Sequence, residues 1–132
     1  SRLALMFIDL DKFKPINDTY GHDAGDHVLK IIAKRLSDGL RETDFIDRIG
    51  GDEFVAVLEN TDTVATVADK ILKEIKQPIE FKGDEFHVGS SIGIGIFPDN
   101  ADDEEKLIKA ADKAMYEVKE GGRNNYRVYG IA

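Results

Sequence analysis

The chain contains no cysteine. Disulfides and thiolate metal sites are therefore excluded, which fits a reducing compartment. It also lacks an apolar run of the ~20 residues that a membrane-spanning helix needs. No basic start followed by an apolar stretch and a small-residue cleavage site marks a secretory signal. Positive charge is in deficit: 18 Lys and Arg face 26 Asp and Glu, a formal net charge of −8. A broad basic surface for nucleic acid is not expected, nor is membrane contact from this segment. An acidic chain still binds polyphosphates where a divalent cation or a few local cations offset the charge. These features point to the cytoplasm, with any membrane anchor belonging to other parts of a longer protein.

What is present suffices for one core. The 132 residues, 42% of them hydrophobic, are expected to form a single domain over 1–132. Leu3 to Leu10 is a continuous apolar run with an acid near its end and reads as a buried strand. The stretch DKFKPINDTYGHDAGD reads as a loop, being rich in Asp, Asn and Gly with one Pro. A helix is expected to begin near Asp26, with Val28, Leu29, Ile32, Leu36 and Leu40 as its apolar stripe. Two short strands, DFIDRI and EFVAVLE, flank Gly50-Gly51, a hairpin-turn pair whose glycines tolerate positive φ. Val64, Val67, Ala68, Ile71, Leu72 and Ile75 mark a second helix ahead of Pro78. A hairpin follows at Lys82-Gly83-Asp84 and leads into a strand that alternates Ile92, Ile94 and Ile96 with Ser91, Gly93 and Gly95. One face of that strand is nearly bare, as close approach of another backbone requires. A third helix starts at an Asp102/Glu105 capping box, carries Leu107, Ile108, Ala111, Met115 and Val118, and stops at Gly121-Gly122. YRVY adds a last strand. The order β-α-β-β-α-β-β-α-β makes an α+β fold with a mixed sheet and helices packed on it.

Two stretches carry candidate chemistry. In FIDLDKF, Asp9 and Asp11 are two residues apart, so in extended chain both point to one side. They either open a solvated loop or hold a metal at the sheet's edge. An EF-hand is excluded, because Phe13, Lys14 and Tyr20 occupy its positions 5, 6 and 12. Asp52 and Glu53 follow the glycine pair directly. Adjacent acids at a hairpin tip are tolerable in water and become useful with a divalent cation between them. If the first strand lies beside this hairpin, Asp9 and Asp52 face each other across adjacent strands. Mg²⁺ takes a few carboxylate oxygens and fills its remaining positions with substrate phosphates.

GGDEF, Gly50 to Phe54, resembles the signature of the GGDEF domain, the catalytic domain of diguanylate cyclases. FIDLDKFKPINDTYGHDAGD, SSIGIGIF and ADKAMYEVKEGGRN are similar to that family in the same order, so the resemblance covers nearly the whole chain. It implies a nucleotide-cyclase or ferredoxin-like βαββαβ core, mostly antiparallel, with GGDEF on a hairpin turn. It implies condensation of two GTP into cyclic di-GMP and two pyrophosphates at a site between two domains, hence a transient or regulated homodimer. The alternative within the family is a module that binds GTP or cyclic di-GMP and regulates a neighbour without turnover. The metal ligands, for Mg²⁺ or Mn²⁺, fall on Asp9, the Leu10 carbonyl, Asp52 and Glu53. Asp52 is also the implied acceptor of the 3′-hydroxyl proton, with Glu53 beside it as the second catalytic acid. Gly50 and Gly51 lie against the nucleotide. Asn17 and Asp26 match the guanine readers, and His22 lines the same pocket. Phe13, Lys14, Lys119 and Arg123 match substrate contacts, the three cations toward phosphate. Aspartate at 26 favours guanine on both nucleotides over a cyclic GMP-AMP product. Arg41 and Asp44, in RETD, match the family's inhibitory product site. The family's helical lead-in precedes the first strand, and Ser1-Arg2 is expected to be its tail.

Overall fold

In the computed structural model the described residues are 2–41 and 44–130. The apolar run near the start becomes β1 (Leu3–Asp11), buried along almost its entire length. It forms the middle of a five-stranded sheet of order β2-β3-β1-β6-β7, built with β2 (Phe45–Arg48), β3 (Glu53–Leu58), β6 (Gly89–Phe97) and β7 (Asn125–Val128). β1 is antiparallel to both β3 and β6, whereas β7 runs parallel to β6. The sheet is thus mixed and mostly antiparallel, as expected.

Side chains alternate across a strand, so the two faces of β1 serve two cores. Met6 and Ile8, with Phe54, Ala56, Ile92 and Ile94, belong to a cluster completed by α2 (His22–Asp38) and α3 (Val64–Ile75). Leu5 and Phe7, with Val55, belong to a smaller cluster closed by Leu107, Ala111 and Met115 of α4 (Glu104–Glu120). The bare face of β6 is where α4 sits. A Cβ added at Gly93 would lie 2.8 Å from Met115 Cβ and closer still to the Ala111 carbonyl oxygen. Among the described residues no helix is long and apolar enough to cross a membrane.

Four local expectations are corrected. The stretch after β1 is not a loop but a helix, α1 (Phe13–Tyr20), joined directly to α2. Phe13 and Ile16 lie one turn apart and are both buried. Pro15 falls in the first turn, where its missing N–H leaves no bond unmade. Gly21, at φ 91°, ends α1 by donating its N–H to the Asn17 carbonyl and lets α2 start at His22, four residues ahead of Asp26. The second correction concerns α4, whose N-cap is Asp103, accepting from Lys106 N at 2.8 Å, one residue later than the expected box. Third, the strand after Lys82-Gly83 is broken. β4 (Ile79–Phe81) and β5 (Asp84–Phe86) form a separate two-stranded sheet, and β6 begins only at Gly89. That hairpin rests on the α1–α2 elbow: Phe81 stacks on His27, Phe86 meets Tyr20 edge-on, and His27 Nε2 lies 3.1 Å from the Glu80 carbonyl.

Fourth, Gly50 and Gly51 are not among the described residues with positive φ. The β2–β3 connection spans four residues, Ile49 to Asp52, rather than a two-residue turn. It is closed by Ile49 N donating to the Glu53 carbonyl at 3.0 Å.

Candidate active site

The register of the two central strands decides which acids meet. Asp9 is paired with Glu53, not with Asp52 as the sequence suggested. The reason is parity. Val55 and Val57 share a face with Glu53, and that face matches Leu5, Phe7 and Asp9 of β1. Asp52 lies just before the strand, in the turn, where its carbonyl accepts from Leu10 N at 3.0 Å. Leu10 itself is buried on the opposite face.

Asp9 is only 5% exposed, and its Oδ1 is buried with no hydrogen-bond partner among the described residues. Its Oδ2 accepts from Lys119 Nζ, brought in from the last turn of α4. Burial pushes the Asp9 carboxyl up, the Lys119 bond offsets part of that, and repulsion from Asp52 adds to it. Burial likewise raises Glu53, helped by repulsion from Asp9 and Asp52. An acid pair that holds its protons more tightly than usual, with one oxygen left without a donor, is a group of ligands short of positive charge. That donor set fits a hard divalent cation. Among the described residues no three acidic or imidazole groups converge into a closed metal cluster.

Arg48 was not singled out from the sequence, yet it shapes the tip. Its Nε donates to the carbonyls of both Gly50 and Gly51, at 3.0 and 3.1 Å. A Cβ at Gly51 would meet nothing within 4 Å, whereas one at Gly50 would touch Glu53 Oε1 at 3.0 Å. The tip is thus held by an arginine and open at Gly51. Asp11, two residues beyond Asp9, is also buried; it accepts from Ser91 Oγ at 2.8 Å and from Asn124 N at 2.9 Å. It ties β1, β6 and the loop after α4 together beneath Arg123, whose Nη1 lies 4.0 Å from it. The i, i+2 spacing of the two acids was its only sequence signal.

The remaining candidates fall into three groups. Asn17 on α1 lies against Gly25 of α2, where a Cβ would collide with its amide oxygen, and Asp26 is the next residue along α2, exposed. His22 opens α2 and is exposed. Phe13 is buried in the core, so its ring is not free for a ligand, and Lys14 is exposed one residue later. Arg41 and Asp44 lie at the far end of the sheet from Asp9, ahead of β2. Asp44 Oδ2 accepts from Arg41 N at 3.0 Å, while Glu42 and Thr43 between them lie outside the described residues.

A family model described as diguanylate cyclase, GGDEF domain, matches residues 1–125. The chain is 42% identical over 127 residues to a bifunctional diguanylate cyclase/cyclic di-GMP phosphodiesterase, MucR of Pseudomonas aeruginosa, covering 95% of this chain and 18% of that protein. It spans between 16% and 35% of the length of the curated relatives it matches. Among solved structures, the GGDEF domain of PA1120 (YfiN or TpbB) from Pseudomonas aeruginosa superposes with a TM-score of 0.93 at 39% identity, covering 99% of this chain and 84% of that one. The GGDEF domain of DgcB from Caulobacter crescentus, solved in complex with c-di-GMP, superposes at 0.86 with 28% identity, covering 96% and 77%. With its sheet order, its acid pair at the rim and a family match running from the first strand into the last, the chain belongs to the GGDEF domain family.

Proposed function

We propose that this chain is a diguanylate cyclase domain. It holds one GTP and, face to face with a second copy, condenses two GTP into cyclic di-GMP and two pyrophosphates. The single observation that carries the reading is the buried Asp9 directly across from Glu53, with an unpartnered oxygen, beside a tip open at Gly51.

Each residue has a task in this reading. Asn17 and Asp26 complement the guanine edge, an amide and a carboxylate against a carbonyl and N–H donors, with His22 at the pocket's mouth. Lys14, Lys119 and Arg123 and the backbone at Phe13 take the phosphates. Gly50 and Gly51 let the nucleotide lie against the tip, and Arg48 keeps that tip in shape. Asp52 accepts the proton of the 3′-hydroxyl. That oxygen then forms its bond to the α-phosphorus of the other nucleotide as the bond to the bridging oxygen breaks and pyrophosphate leaves. Asp9, the Leu10 carbonyl, Asp52 and Glu53 would hold Mg²⁺ or Mn²⁺, which when bound neutralises charge on the phosphates. Holding the reactants in line and placing charge beforehand supply most of the rate. Arg41 and Asp44 bind product and arrest the domain.

The test is cyclic di-GMP production from GTP and Mg²⁺ across protein concentrations, including a forced dimer. Product should rise faster than linearly with the monomer, and Asp52→Ala should abolish it with the fold intact. GTP binding without product in the forced dimer would leave only the binding-module reading. Arg41→Ala should relieve inhibition by added cyclic di-GMP; unchanged inhibition would remove that assignment.

A further inference from the structure

Beside the acid pair, on the side of the rim toward the end of α3, lies a cavity of about 610 Å³. Asp9, Asp52, Glu53, Lys119, Asn17 and Asp26 are not among its walls. Four segments meet there: the end of β1 at Lys12, the end of α3 with Lys73 and Lys76, the approach to β6 with His87, and the loop after α4 with Arg123 and Asn124.

Its charge runs against the chain as a whole. Lys12, Lys73, Lys76 and Arg123 line it, against the single carboxylate of Asp11, in a protein of net charge −8. Lys12, Lys73 and Lys76 have no ion-pair partner among the described residues. Asp11 is 4% exposed and already accepts from Ser91 Oγ and Asn124 N, so it braces the floor and is not free for a ligand. His87 pairs with Glu85, at 3.0 Å. Val88 is the sole apolar side chain in the walls among the described residues, which leaves little for an uncharged ligand to bind.

Backbone strain collects at the same place. The non-glycine residues with left-handed φ among those described are Lys12 at 64°, Lys82 at 49°, Arg123 at 67° and Asn124 at 48°. Lys82 sits in the β4–β5 turn, where that conformation is ordinary. The other three line this cavity. Such residues persist only where the surroundings over-determine them, and they gather at ligand sites. The α3 wall is likewise fixed. Arg35 donates to the carbonyls of Glu74, Gln77 and Pro78, at 3.3, 2.7 and 3.0 Å, and so anchors the turn that carries Lys76.

We propose that this basin is a second anion site, which takes a polyphosphate of pyrophosphate size or larger through Lys12, Lys73, Lys76 and Arg123. Four cations around one braced carboxylate reject a metal ion and attract a phosphate chain, and the volume exceeds what a single small ion fills. Arg123 lines the basin and is also among the proposed phosphate contacts of GTP, so the basin adjoins that site through one residue. The site does not depend on turnover and stands whether or not the chain is a cyclase.

The experiment is a calorimetric titration of pyrophosphate into the protein with a chelator present, so that no divalent cation contributes at Asp9. Wild type should bind one pyrophosphate, more weakly as salt is raised. Lys73→Gln/Lys76→Gln should weaken binding about five- to thirtyfold, the scale of two partly screened charge contacts. Both lysines are exposed, so the fold is kept, which a thermal scan checks. Lys109→Gln/Lys113→Gln removes the same charge from α4 and should leave binding unchanged. GTP is titrated into wild type and Lys73→Gln/Lys76→Gln as well: the variant should bind GTP as wild type does, and a loss of GTP binding equal to the loss of pyrophosphate binding would make the basin the nucleotide's own phosphate site and overturn a second one. The proposal is also overturned if wild type binds no pyrophosphate, if Lys73→Gln/Lys76→Gln binds it as wild type does, or if the control loses as much.

Discussion

Replacing Gly93 by alanine tests the claim that the bare face of β6 exists to seat α4. The added Cβ would stand 2.8 Å from Met115 Cβ, where carbon atoms ordinarily rest ~3.5–4.0 Å apart. It would also fall within the radius of the Ala111 carbonyl oxygen. The nearest obstacles are backbone atoms of a helix, so no change of rotamer relieves them. α4 must lift by about 1 Å, and the contacts of Leu107, Ala111 and Met115 with the sheet open together. Overpacking usually costs about 1–3 kcal/mol. With a rigid neighbour we expect the top of that range, about 3 kcal/mol, and a fall in Tm of roughly 10 °C. Gly95→Ala is the graded comparison. Its Cβ would meet Leu107 Cδ1 and the Leu107 carbonyl at 3.1 Å, partly a flexible side-chain end, and about 1 kcal/mol is expected. Gly51→Ala has no neighbour within 4 Å and should stay within about 0.5 kcal/mol of wild type while lowering cyclic di-GMP formation. Urea unfolding followed by circular dichroism measures all three. The reasoning fails if Gly93→Ala unfolds within about 0.5 kcal/mol of wild type, or if it is milder than Gly95→Ala.

Asp9→Asn should abolish product formation yet raise stability at neutral pH in chelated buffer. The folded Asp9 carboxyl titrates above its ordinary value of 3.8, so its contribution is full below that value and is lost as pH rises through the raised one. The stability gain of the asparagine variant should therefore vanish on acidification below the ordinary value; a gain independent of pH would contradict the cause assigned. Arg35→Ala removes a charged donor from three carbonyls and should cost about 2–3 kcal/mol by chemical denaturation, since bonds to charged groups contribute ~1.5–3 kcal/mol each and water replaces some of them. Arg48→Ala should cut the rate of cyclic di-GMP formation at saturating GTP while moving the unfolding midpoint by less than about 1 kcal/mol, because it frees two exposed carbonyls at the tip. A larger loss of stability than of rate would show that Arg48 serves the fold and not the tip.

Much of this was legible because period and burial agree. β6 declared a branched face and a bare face, and the helix needed to cover the bare one appeared with its own stripe, Leu107, Ala111 and Met115. α1 was hidden because Asp, Asn, Gly and Pro outnumber its two core residues; Phe13 and Ile16 one turn apart, Pro15 in the first turn and Gly21 at the end were the signals outvoted. The Asp9–Glu53 pairing could have been read from parity, since Glu53 alternates in step with Val55 and Val57. Adjacent acids in a motif drew attention to Asp52 instead. The contact of Asn17 with Gly25, and of Lys119 with Asp9, depends on how helices pack on one another and on the sheet, which no local pattern encodes. Arg48 was invisible for a plainer reason: an arginine two residues before a glycine pair has many common uses, and only geometry shows which one it has.

The middle position of β1 has a last consequence. Its end is clasped on both sides by antiparallel neighbours, so Asp9 shares the immobility of the core. The helices that flank it belong to opposite layers: Asn17 and Asp26 ride with α1 and α2, whereas Lys119 arrives on α4. In the proposed site, then, most contacts ride with α1 and α2, where Lys14 lies beside Asn17, and Lys119 alone reaches the acid pair from the opposite layer. A force that tilts α4, for instance one applied at Tyr116 on its outer surface, would draw Lys119 away from Asp9 while the contacts on α1 and α2 kept their places. The positive charge beside the acid pair thus has a mechanical address of its own.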